Sequence, residues 1–452
     1  MSRPRWSICA AVAAIACAFA VVCTYHAEAG RTIASAVGGI FIDADGAVRA
    51  PSADMKNARI KALREAVAKP AGDVNTPVEL RRISLRGLEA AVREALAKGD
   101  TLPDEIQFLA GLQRIQYVFV YPEQNDIVIA GPAEGWVVNG DGEIVGITSG
   151  RPVLRLDDLL VALRSVENAR TGGISCSIDP TAEGRQRLQQ VLDAQARSRQ
   201  PLNPAVLEPQ MKEAFGPQQI TVKGVPLDSH FARMLVAADY RMKRLAMHLE
   251  PAPIPNMPSY VQMIRGGVNS STNPRWWLAC NYEPLAASDD KLAWEIRGQG
   301  VKAMTEDEFV QADGTVKGTG KANDAAQKWA DLLTSRYDEL SAADPVFGKL
   351  RNMMDMCVVA ALIEAHDFRN LANCDLSLLY DARSDLTLTQ WPTPRTVSPE
   401  CSFLRTRKGW TVTASGGVLV ESWQSASRSK VDGAIAAVRE KSAPNAKRWW
   451  WN

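Results

Sequence analysis

Histidine is almost missing from this chain: there are four in 452 residues. His26 lies in the opening segment, and His230, His248 and His366 have no partner at metal-ligand spacing. GxSxG, HExxH and papain-like cysteine contexts are missing too, which argues against the common histidine-dependent hydrolases. Net charge is also lacking, since 52 Lys and Arg face 51 Asp and Glu. Without a basic field to neutralise phosphates, nucleic acid is not an expected partner. The eight cysteines include no CxxC pair, so neither a clustered zinc site nor a thioredoxin-like centre is expected. Nucleotide loops fail in detail. Gly298, Gly300 and Ala303 imitate a dinucleotide fingerprint, but TEDEFV after them is too short for the required helix; in GTVKGTGK, Thr315 stands where the first glycine belongs and Ala322 follows Lys321. The calcium-like strings at 43–46, 139–142 and 312–314 place glycine too early for an EF-hand and read as hairpin turns. No cofactor is expected.

What is present begins with a leader. Arg3 and Arg5 precede an apolar run from Ile8 to Cys23, followed by Ala27-Glu28-Ala29 and Gly30. That order predicts a secretory signal peptide cleaved after Ala29, hence an exported chain in the periplasm or cell envelope. The run is shorter than the roughly 20 residues that span a bilayer, although an uncleaved anchor is the alternative. Cleavage removes two Arg and one Glu and leaves a formally neutral protein with Cys176, Cys280, Cys357, Cys374 and Cys401. In an oxidising compartment an odd number leaves a thiol over; Cys374 and Cys401, both in a loop-rich region, are the candidate bridge, and Cys357 reads as a buried thiol.

Periodicity predicts an α+β fold with three parts: an antiparallel β-meander with packed helices, a small α/β unit, and a C-terminal mixed helix/hairpin domain. Residues 30–78 read as a hairpin and linker, 79–250 as the first α+β domain, 251–258 (four prolines in PAPIPNMP) as a boundary, 259–442 as the second domain and 443–452 as a Trp-rich tail. The clearest helix runs from Asp228 to Leu249, with Phe231, Leu235, Ala238, Met242, Leu245 and Leu249 on one face and Arg233, Arg241, Lys243 and Arg244 opposite. Its basic face, like the tail KRWWWN, suits peripheral contact with an anionic membrane or envelope polymer; a solvated face and a frayed end are the plainer readings. Asp228-Ser229-His230 reads as a helix N-terminus rather than a triad. Thr305 to Glu308 reads as a capping box that opens a helix, and MMDMCVVAALI, too short to cross a bilayer, as core.

One constellation has chemistry in view. If 275–283 pairs with 292–297 as a hairpin, alternation places Trp277, Asn281, Glu283, Glu295 and Arg297 on one face. An aromatic beside two carboxylates can grip a sugar, and Glu283 with Glu295 is the pair a glycan hydrolase needs. An ordinary solvated sheet face is the alternative.

The stretches LAGLQRIQYVFVYPEQNDIVIAGPAEGW, GRPVLRLDDLLVALR, ISCSIDPTAEG, VAADYRMKRLAM and LAWEIRGQGVKAMTEDE, spread over roughly residues 80 to 365, resemble an uncharacterised family of exported bacterial proteins, a domain of unknown function abundant in planctomycetes. The resemblance implies an extracytoplasmic setting and supplies no catalytic residue. The sequence therefore points to a cell-envelope binding or structural component whose partner is an envelope polymer or another envelope protein, with the glycan hydrolase as the alternative.

Overall fold

Two twisted sheets share one apolar interior. The structure, a computed structural model, describes residues 41–42, 47–49, 53–198, 203–264, 273–311, 314–400, 402–404, 410–412, 415–444 and 448–452. The leader, the turn at 43–46 and Cys401 lie outside them. Among the described residues no helix is long and apolar enough to cross a membrane.

The smaller sheet has seven strands. In spatial order they are β19 (Ser429–Val431), β11 (Leu285–Ala287), β12 (Ala293–Glu295), β4 (Tyr117–Tyr121), β5 (Asp126–Ala133), β3 (Val78–Ser84) and β20 (Trp450–Trp451). Strict alternation in β4 sends Val118 and Val120 into the main core. Phe119 and Tyr121 face the other way, packing with Ala286 of β11 and with Ile435 on the Ala434–Glu440 helix. The antiparallel meander expected within 79–250 is therefore broken: β4 and β5 pair in this sheet, while β6 (Trp136–Val138) and β7 (Ile144–Gly146) form a separate hairpin.

The larger sheet has nine strands, in the order β1 (Phe41–Ile42), β2 (Ala47–Arg49), β15 (Thr396–Val397), β9 (Gln218–Lys223), β8 (Ile174–Asp179), β18 (Ser415–Val420), β10 (Asn273–Asn281), β13 (Gly300–Val310) and β14 (Val316–Gly318). A further hairpin joins β16 (Ser402–Leu404) to β17 (Trp410–Val412). Within the large sheet, strands from both sides of the proline-rich segment are neighbours: β18 pairs with β8 and with β10. The segment 251–258 is thus no domain boundary. Ile254 and Met257 are buried in the common core, and Ala36 to Asn452 forms one compact unit. The capping box at Thr305 is also overturned. Residues 300–310 are β13, of which 300–308 pair with β10, because nine consecutive ladder partners outweigh a local capping preference.

Through the common core runs the helix Pro345–Ala365, N-capped by Asp344, which accepts from the Val346 amide at 2.9 Å. Val346 through Ile363 are all buried, so this helix has no solvent face. Its charges are paired: Lys349 with Glu143, Arg351 with Asp338 at 2.9 Å, and Asp355 with Arg114 at 2.9 Å and the Tyr282 hydroxyl at 2.7 Å. The helix expected at 228–249 is observed as His230–Ala246, with Ser229 as its N-cap. Its basic residues are buried or held in ion pairs rather than forming a free solvated face. Arg233 and Lys243 are buried; Lys243 meets Asp239 at 2.9 Å, Arg241 meets Asp344 at 2.8 Å, and Arg244 meets Glu250 and Glu400. The apolar stripe revealed one buried face, but the helix is enclosed by the large sheet and the Pro345–Ala365 helix.

Candidate ligand-binding cleft at the C-terminal strand

The tail KRWWWN forms an edge of the seven-stranded sheet. β20 lies antiparallel to β3, with Trp450 opposite Ile83 and Trp451 opposite Arg82, and the Ser84 amide donates to the Trp449 carbonyl at 2.8 Å. Trp450 is buried. Its ring sits between two guanidinium groups, Arg81 at 5.0 Å and Arg448 at 5.6 Å, and its indole N–H donates to Glu105. Behind it, fully buried Arg81 donates to the carbonyls of Val74 at 3.0 Å and Thr76 at 2.9 Å, and to the Asn452 side chain at 2.8 Å. Burial pulls the Arg81 guanidinium down to about 10, against the opposing pull of Glu105 and Asp73. The frayed end expected from sequence is overturned by this docking.

Facing the tail is the Leu85–Lys98 helix. Ser84 caps it, accepting from Gly87 N–H at 2.8 Å while its hydroxyl donates to Asp126 at 2.6 Å. Asp126 also accepts from the amides of Arg86 and Ile127; burial raises its pKa against these bonds. A side chain at Gly87 would meet Trp449 Cβ at 3.0 Å, so the tail packs directly on the helix.

Between helix and tail lies a cleft of about 790 Å³. Gly87, Ala90 and Ala91 give it a shallow wall of small residues, half-buried Trp449 a flat aromatic one, and Asp73, Arg86, Glu94, Glu105 and Arg448 its charged margin. The lining carries four carboxylates, Asp73, Glu94, Glu105 and Asp126, against Arg86 and Arg448, and Lys98 and buried Arg81 behind it supply the two cations that balance them. Arg448 pairs with Asp73 at 2.9 Å, Glu94 with Lys98 at 2.6 Å, and the Arg81 and Arg86 cations act on Glu105 and Asp126. Such a site offers both donors and acceptors around an aromatic plane but no net field.

The constellation suggested by sequence is only partly assembled. Trp277 and Asn281 belong to β10, opposite Met304 and Gly300 of β13, whereas Glu295 belongs to β12 in the other sheet. Segment 292–297 is drawn away from β10 because Trp294 is fully buried and β12 fits between β4 and β11. Glu283 does stay near: its amide donates to the Arg297 carbonyl at 3.1 Å, and its side chain is exposed. The Glu295 carboxylate accepts from Arg297 Nε at 2.7 Å and from the Tyr117 hydroxyl at 3.2 Å, and Arg297 reaches Asp432 at 2.7 Å. This is a surface ion-pair cluster with its acceptors engaged. Of the suggested bridge, Cys374 is a buried free thiol, pushed up to about 12 by burial; Cys401 lies outside the described residues. Sequence reading missed Arg86, Glu94 and Glu105, whose only local signal was a helix start; the tryptophans of the tail were the legible part.

Residues 176–260 match a family model described as a protein of unknown function (DUF1598). The match is narrower than the span of the stretches that carried the resemblance. It begins in β8, includes β9 and the His230–Ala246 helix, and ends at Tyr260, so it covers an interior part of the large sheet and none of the tail cleft. No curated protein and no solved structure matches the chain.

Proposed function

We propose that this protein is an exported component of the cell envelope that binds a neutral polyhydroxylated chain, a glycan, in the cleft beside Trp449 without acting on it chemically. The leader-like opening supports the export. The observation that carries the ligand class is the cleft itself: an aromatic face suited to the C–H face of a sugar ring, bordered by carboxylates and guanidinium groups that can bond hydroxyls, with charges that cancel. Charge balance also turns the reading away from an anionic polymer.

The test is co-sedimentation of the mature protein with insoluble glycans of several classes. At least one neutral glycan should retain it, with binding that changes little as salt rises from about 0.05 to about 0.5 M. Trp449→Ala should weaken retention about tenfold, the equivalent of losing about 1.4 kcal/mol of stacking. Failure of every glycan to retain the protein, or retention abolished by salt, would remove the proposal.

A further inference from the structure

A second cleft, of about 850 Å³, opens where the Val166–Gly172 helix ends and the connection after β9 begins. Its apolar floor includes Val161, Val225 and Leu388. Two glycines in the left-handed region bring its walls together: Gly173 has φ 71° and Gly224 φ 85°, and a Cβ on Gly224 would lie 2.6 Å from the Gly173 carbonyl oxygen. Among the described residues, the charged side chains that line this cleft are Arg164 and Lys223, with no carboxylate beside them. Neutral hydrogen-bonding groups, among them Asn168, Thr171 and Gln390, complete the lining.

Arg164 is fixed in place by neutral partners. Its Nε donates to the Leu379 carbonyl at 3.0 Å, and its Nη2 to the carbonyls of Leu378 at 3.1 Å and Leu386 at 3.0 Å and to the Ser384 hydroxyl at 3.2 Å. None of these bonds uses Nη1. Asp381 and Asp157 act on the guanidinium only from beyond ion-pair distance. The helices Leu156–Arg164 and Val166–Gly172 both end at the cleft, and each C-terminus contributes roughly half a negative charge. Two full cations exceed that, so the lining itself is cationic, with Asp381 and Asp157 offsetting part of its charge from farther off.

The geometry points to a binding site for a small organic oxyanion, a carboxylate or phosphate ester carried on an apolar body, held between Arg164 and Lys223 with the body over Val225 and Leu388. This site is separate from the tail cleft and does not depend on the glycan reading.

Isothermal titration of the whole protein at low ionic strength, with benzoate, phenyl phosphate, inorganic phosphate and neutral benzamide as probes, tests it. Benzoate and phenyl phosphate should bind saturably and benzamide should not. Lys223 is exposed, so Lys223→Glu should leave the melting temperature unchanged while weakening both anions by about tenfold or more, the loss of one charge-assisted hydrogen bond. Trp449→Ala should leave them unaffected. A clear preference for phenyl phosphate assigns a phosphate ester, and the converse a carboxylate. The inference is overturned if neither organic anion binds, if benzamide or inorganic phosphate binds as well as they do, or if Lys223→Glu changes nothing.

Discussion

His230 is completely enclosed, its Nδ1 donating to Asp158 at 2.9 Å and its ring edge-on to Trp391 at 5.2 Å. Burial lowers its pKa below 6.5 against the pull of Asp158. As pH falls through 6.5 the unfolded chain takes up a proton that the folded imidazole resists, so stability should decline with acidification below that point. Denaturant titrations from pH 7.5 to 5 should show the decline, and His230→Gln should flatten it; an unchanged slope in that variant would show that His230 is not its source. Asp355 is the second decisive residue. Replacing it by Ala leaves Arg114 and the Tyr282 hydroxyl buried without their acceptor, and should cost about 3–5 kcal/mol in denaturant midpoint analysis. Neither partnership was legible in sequence. Asp158 and His230 stand far apart along the chain, and each looked locally like an ordinary helix-start residue.

Elements were legible where one period dominated. The Pro345–Ala365 core helix and the His230–Ala246 helix are where the apolar pattern placed them, to within a few residues. Strand partners were not, because alternation shows which residues share a face and not which strand lies beside them. β18 makes the point. It lies between β8 and β10, and a Cβ at Gly416 would fall 1.7 Å from the Trp276 carbonyl oxygen. The Gly-Gly pair lets neighbouring backbones close in, a need invisible until the neighbours are known. Gly416→Val should therefore prevent native sheet formation, visible as loss of near-ultraviolet circular dichroism; a well-folded variant would contradict the close approach.

For the molecule as a whole, segments far apart along the chain are tied together. β20, from the last residues, completes a sheet begun by β3, and Asn452 bonds buried Arg81. Deleting residues 448–452 should uncover Ile83, strip Arg81 of one partner and lower stability by about 2–4 kcal/mol, measured as a shift in thermal midpoint. It should also abolish glycan retention, while Trp449→Ala weakens retention about tenfold with a smaller loss of stability. The proline-rich segment looked like a linker because proline excludes regular structure locally. That rule says nothing of whether strands from its two sides share a sheet, and here β8 pairs with β18, which pairs in turn with β10.

By itself the sequence determined the α+β class, the buried helices and the unusual character of the tail, since burial periodicity and composition are local properties of the chain. Only the tertiary structure decided that one interior replaces two, that the tail is a strand rather than a loose end, and that Glu295 joins a surface ion-pair cluster with Glu283 exposed near it while Trp449 lines a cleft. Those outcomes depend on which distant backbones come within hydrogen-bond distance, a competition settled among all possible pairings at once.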